Sequence, residues 1–212
     1  MTWTTVYDQT SQAWVTGTSS SNDDDLVSVG YGCWMRMRIP SSAWLQAVAG
    51  NQVRVTIAWH ANSGACAHAL ADSYFGQAAA VGSWPNVNPF TGDQVQLTWG
   101  GVITADSTAG ASFSVSDAIT LAQNFDNTKD YLFSVFWYGA SGFFPHIVKN
   151  DAGPSTDFIK DTSGGDIVTD VAGSTNDPAS ISASETNHTA AIVKVEINVA
   201  GAPPPLMGQI WV

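Results

Sequence analysis

Residues 131–139 read YLFSVFWYG, and five of the first eight side chains are aromatic: Tyr131, Phe133, Phe136, Trp137 and Tyr138. In a strand, successive side chains point to opposite faces. One face then carries Tyr131, Phe133, Val135 and Trp137, and the other Leu132, Ser134, Phe136 and Tyr138. Both faces are apolar, whereas a soluble antiparallel sheet usually keeps one face dry and one wet. The pattern predicts a central strand of a β-sandwich. One face enters the core, and the other lies under long loops or a neighbouring subunit, or lines a groove.

Period-two alternation spreads outward from this stretch. In GCWMRMRI, Cys33, Met35, Met37 and Ile39 alternate with Trp34, Arg36 and Arg38, which predicts a strand with Arg36 and Arg38 on its solvent face. Val53, Val55, Ile57 and Trp59 alternate with polar residues in QVRVTIAWH, as do Val95, Leu97 and Trp99 in QVQLTW. Phe113 and Val115 continue the apolar set in SFSVS, Ile119 and Leu121 suggest a short strand, and Val193, Val195, Ile197 and Val199 form a late one. Helical periodicity is confined to SSAWLQAVAG, residues 41–50, which has a Ser cap and a terminal Gly. Turn-forming residues fill 17–25, 82–93, 105–111, 139–155 and 161–190. The expected fold is all-β. It is a single antiparallel, jelly-roll-like β-sandwich over 27–200, with long loops and at most one or two short helices. Residues 1–26 form an N-terminal arm or first strand, and 201–212 a Pro-rich tail. In that tail Pro203, Pro204 and Pro205 stiffen the path to an apolar Ile210, Trp211 and Val212. The tail either folds back on its own domain or docks on a neighbour as an added strand.

The composition excludes several partners. The 212 residues include 7 Lys plus Arg against 18 Asp plus Glu, for a net charge of −11. Without a Lys/Arg cluster the chain is unsuited to nucleic acid, whose phosphates need neutralising cations, or to an anionic membrane surface. The segment MTWTTVYDQT has neither a basic nor an apolar leader region, so no signal peptide is expected. No apolar run reaches the length of a membrane span.

Catalytic and metal motifs are equally sparse. His60, His68, His146 and His188 form no close ligand pair. Asp23, Asp24 and Asp25 lack the spacing of a calcium loop and are expected in a solvated loop, and Asp161, Asp166 and Asp170 lie in a polar excursion; calcium binding is the alternative reading of both runs. Cys33 and Cys66 are either two reduced thiols or a disulfide. There is no GxSxG, and the glutamates are Glu185 and Glu196 alone, so no catalytic, cofactor or metal residues are expected. Trp34 shares a strand face with Arg36 and Arg38. It either packs under a crossing loop or serves as a flat aromatic for a sugar or a partner.

The order VQLTWGG (95–101), FSVSDAITL (113–121), DYLFSVFWYG (130–139) and FFPHIVKNDAGPSTDFI (143–159) resembles the lectin-like β-sandwich that accompanies SGNH/GDSL-type esterases. VRVTIAW (53–59) suits it too, and the likeness extends over about residues 27–160. The esterase half is missing, with no GDS block and no C-terminal DxxH pair. The resemblance therefore implies the sandwich and not the hydrolase. Similar stand-alone sandwiches occur among tailed-bacteriophage virion proteins, and the ending PPPLMGQIWV is similar to theirs. What this implies is a non-enzymatic capsid decoration or cement protein, made in the host cytoplasm and located in the virion. Its expected partners are the major capsid protein and further copies of itself, for example in a trimer. The alternative is a carbohydrate-binding module on a tail or fibre that recognises host glycans. The interface residues expected are Trp34, Arg36, Arg38, Phe136, Tyr138, Ile210, Trp211 and Val212.

Overall fold

The computed structural model describes residues 2–10, 33–59, 68–80, 90–103, 112–139, 147–149, 157–161, 183–186, 188–190 and 192–199. The side chains of 33–35, 58–59, 68–72, 112, 135–139 and 193, and of the short strands between 147 and 190, lie outside that description. The tail residues Ile210, Trp211 and Val212, together with Cys66, His60, His146 and Asp23–Asp25, lie outside the described residues altogether.

Two antiparallel sheets enclose one core. The first contains β1 (Thr2–Asp8), β13 (Ile192–Val199), β3 (Gln52–Trp59) and β6 (Ser112–Val115) in that order, with β7 (Ile119–Thr120) also on β3. The second runs β11 (Ala183–Thr186), β10 (Asp157–Asp161), β2 (Cys33–Ile39), β8 (Tyr131–Gly139), β4 (His68–Gln77), β5 (Val95–Gln96). A small separate pair joins β9 (Ile147–Lys149) to β12 (His188–Ala190).

The pairings are nested. β1 pairs with β13, β2 with β8, β3 with β6 and β7, and β4 with β5. The chain thus behaves as one long hairpin rolled up, with its successive arms falling on alternate sheets. That is the jelly-roll topology, whose two packed sheets hide both inner faces. Strands β9 to β12 are an insertion between β8 and β13, and β10 extends the second sheet beyond β2.

The core draws on both sheets: Val6 and Tyr7, Val53, Val55 and Ile57, and Val195 and Ile197 from one, Met37 and Ile39, Phe75, and Tyr131 and Phe133 from the other. Trp44 closes one end. It stands edge-on to Phe125 at 5.0 Å and to Tyr131 at 5.4 Å, and its Nε1 donates to the Lys129 carbonyl at 2.8 Å. Tyr131 also stacks on Phe75 at 5.6 Å, and burial pushes its hydroxyl up to about 12.

The described part of the second face of YLFSVFWYG, Leu132 and Ser134, is covered from within the chain. Leu132 and Ser134 are both buried. Phe90 and Ala78 pack on Leu132, and Ala78 and Phe90 are bridged to each other as backbone neighbours. The segment 90–94 therefore lies across β4 and β8, and Gly76 makes room for it: a Cβ there would meet Gln94 Cα at 2.7 Å.

Several expectations change. The stretch 41–50 keeps only one 3-10 turn, Ser41–Ala43, because Trp44 leaves the helical region to reach the core. Phe113 and Val115 point outward, not inward. Ser116 decides this, since its amide donates to the Val55 carbonyl while its Oγ accepts from the Val55 amide, which sets Val115 opposite Thr56. Strand β4 was not expected, because HALADSYFGQ mixes small residues into any alternation. The supposed loops 139–155 and 161–190 contain β9, β11 and β12.

Candidate functional site

The residues singled out on β2 and β8 are brought together by register. Trp34 stands opposite Phe136, Arg36 opposite Ser134 and Arg38 opposite Leu132, while Tyr138 stands opposite Ala69 of β4. The environment of Arg36 differs from the expectation. Arg36 is not a solvent group: it is 3 % exposed. Its Nε donates to Ser134 Oγ at 2.7 Å, and its guanidinium lies 5.1 Å from the centre of the Phe90 ring. Alternation marks the residue as polar but cannot report that a segment fifty residues downstream crosses that face. Arg38 remains partly open to solvent and sits 3.7 Å from Asp130, which also accepts the Ser41 amide.

A second constellation joins the two motifs LTWGG and SDAITL. Asp117 accepts from Thr98 Oγ1 at 2.7 Å, from the Gly101 amide at 2.8 Å and from the Gly100 amide at 3.1 Å. Its own amide donates to the Thr98 carbonyl. Gly100 and Gly101 have φ of 60° and 81°, a region that glycine enters at little cost. The Gly101 amide and the Thr98 hydroxyl hold the Asp117 carboxyl below its ordinary value, outweighing the opposing effect of burial. This carboxylate is committed to a turn that ties the end of β5 to the end of β6. The sequence signal was present in the Thr-x-Gly-Gly and Ser-Asp strings, but nothing in it paired them.

A third cluster lies on the outer face of the first sheet. Glu196 binds Arg54 Nε at 2.7 Å and Lys194 Nζ at 2.9 Å, and the Arg54 guanidinium covers the Trp3 ring at 4.5 Å. Burial alone would raise the Glu196 carboxyl, but the hydrogen bonds from Arg54 and Lys194 outweigh it and leave it below the usual range.

Exposed apolar residues are concentrated. Among the described residues, five large ones are exposed: Leu45, Val102 at 55 %, Ile103 at 40 %, Phe113 at 52 % and Val115 at 49 %. Four of these lie in the two segments that Asp117 clamps together. An open depression of about 350 Å³ lies between 47–49 and 124–127, with Phe125 in its lining. Asp126 at its rim is taken up by Thr128, whose amide and hydroxyl it accepts. No group of three or more His, Cys, Asp or Glu among the described residues could hold a metal ion. No helix among them is long and apolar enough to cross a membrane.

The class defined by this architecture is an antiparallel jelly-roll β-sandwich. Compared with known families and with curated proteins, the chain matches none.

Proposed function

We propose that this protein is a non-enzymatic structural protein of a tailed-bacteriophage virion, a capsid decoration or cement protein that assembles with copies of itself and with the major capsid protein. The observation that carries this reading is the exposure of Phe113, Val115, Val102 and Ile103 in the two segments that Asp117 bonds together. Solvent-exposed apolar side chains gathered in one region mark contact surfaces, and jelly rolls serve in both capsid and lectin domains. The absence of an enzyme is supported by how the described carboxylates are used: Asp117, Asp126 and Glu196 each serve local structure.

The rival reading is a glycan-binding module. It draws on Phe113, an aromatic ring that is 52 % exposed. Trp3 does not help it, since Arg54 already covers that ring.

Cryo-electron microscopy of purified virions tests the proposal. Density for this sandwich on the capsid, contacting its neighbours through β6 and the 99–103 turn, is the expected result. Its absence from every particle that the source genome produces would sink the virion reading. Specific binding to host-surface glycans by the isolated protein would instead favour the rival.

A further inference from the structure

Strand β1 is held in two different ways along its length. Val6 and Tyr7 are buried in the core, and the Leu45 amide donates to the Val6 carbonyl at 2.8 Å. Thr2–Thr5 are exposed or half-buried. Between the two halves, the ladder to β13 shifts register between Thr5 and Tyr7. A bulge locally disrupts pairing and bends a strand, so it is where the outer half can pivot.

Besides the ladder to β13 and the exposed bond from Gln46 Nε2 to the Thr5 carbonyl at 2.8 Å, which a swing of Thr2–Thr5 must break, the outer half is fastened by an arrangement spanning three strands. Trp3 on β1 lies beneath Arg54 on β3, and Arg54 is fixed by Glu196 on β13, the strand between them. Thr5, Glu196 and Arg54 stand opposite one another in the ladders. Glu196, only 7 % exposed, also holds Lys194. The charged groups of the described residues around it are therefore Arg54 from β3, Lys194 from β13 itself, and Asp8 from β1, which stands opposite Lys194.

We propose that Glu196 is the catch of an acid-sensitive flap: its carboxylate keeps Arg54 on Trp3, and neutralising it lets Thr2–Thr5 swing away from β13 about the bulge. The physical reason is charge. One carboxylate keeps two cations within hydrogen-bonding distance of itself. Without its charge Arg54 and Lys194 repel each other, and Lys194 has Asp8 as a nearby alternative. Arg54 then moves toward solvent and uncovers the indole. Val6 and Tyr7 stay in the core, so the rest of the sandwich is unaffected. The sign follows from the depressed carboxyl of Glu196: the hold is complete above the ordinary glutamate value and is lost as pH falls through the lower, folded-state value.

Amide hydrogen exchange, corrected for intrinsic rates, tests this in the full chain and in Glu196→Gln. At neutral pH the variant should lose protection roughly tenfold over Thr2–Thr5 and the facing residues of β13, with Val6–Asp8 and β3 unchanged. The wild type should show the same local loss only on acidification. Protection over Thr2–Thr5 equal to that of the wild type overturns the proposal, as does a uniform loss across both sheets. Should Glu196→Gln fail to fold, the acid titration of the wild type decides: loss over Thr2–Thr5 before the rest supports the flap, and simultaneous loss refutes it.

Discussion

Arg36 and Ser134 stand opposite each other on β2 and β8, and the Arg36 Nε donates to the Ser134 hydroxyl over 2.7 Å. Both groups are buried on what an alternating pattern would call the wet face. The Phe90 ring above the guanidinium turns that face into a second, smaller interior. A buried cation tolerates such a place when its donors are satisfied and its flat face meets an aromatic ring.

Arg36 and Arg38 should therefore behave differently on substitution. Arg36→Ala leaves a buried hydroxyl without its donor and a gap under Phe90, and should cost about 2–3 kcal/mol. Arg38→Ala, in a part-exposed pair with Asp130, should cost less than about 1 kcal/mol. Urea denaturation of the two variants checks this, and equal losses would contradict the burial of Arg36. Met37→Asp, which places a charge in the main core, should not fold at all.

Gly76→Ala should loosen the cover over β8. Its new Cβ would press on the backbone of Gln94 at 2.7 Å, so the 90–94 segment must shift. A loss of about 1–3 kcal/mol is expected, as for other overpacked sites. Faster proteolysis around Phe90, with the main core intact, would identify the displaced segment.

Stability should fall on the acid side. The Asp117 carboxyl is depressed by the Gly101 amide and the Thr98 hydroxyl, so its contribution is full above the ordinary aspartate value and vanishes as pH falls through the folded-state value. Asp117→Asn should lower the denaturant midpoint at pH 7 and flatten its decline between neutral and acid pH. A variant with the same acid slope as the wild type would show that the clamp contributes nothing.

Assembly should depend on β6 and on the tail more than folding does. Phe113→Asp combined with Val115→Asp alters two exposed positions and should leave the thermal midpoint nearly unchanged. It should abolish self-association in sedimentation experiments and attachment to particles. Truncation after Ala202 should likewise yield a folded monomer if the tail docks on a neighbour. If the truncated chain unfolds, the tail belongs to its own core.

The sequence by itself determined the all-β class, the sandwich and most of its strands. Alternation in MRMRI and VRVTIAW is a local consequence of strand geometry, and Met37, Ile39, Val53, Val55 and Ile57 all enter the core on the expected side. It could not determine which face enters the main core where both faces are apolar, as in YLFSVFWYG, whose Tyr131 and Phe133 turn out to be the core side. Only the tertiary structure decided that Phe113 and Val115 face out, through the pairing of Ser116 with Val55. The same holds for the site. LTWGG and SDAITL were legible as motifs, but the bond from Thr98 to Asp117 spans two sheets and is made by the rolled-up hairpin. Burial of Arg36 depends on Phe90, far along the chain, and the hold on Trp3 depends on Arg54 and Glu196 from two other strands. Such contacts are set by which strands become neighbours, a property of the whole topology that no local residue pattern encodes.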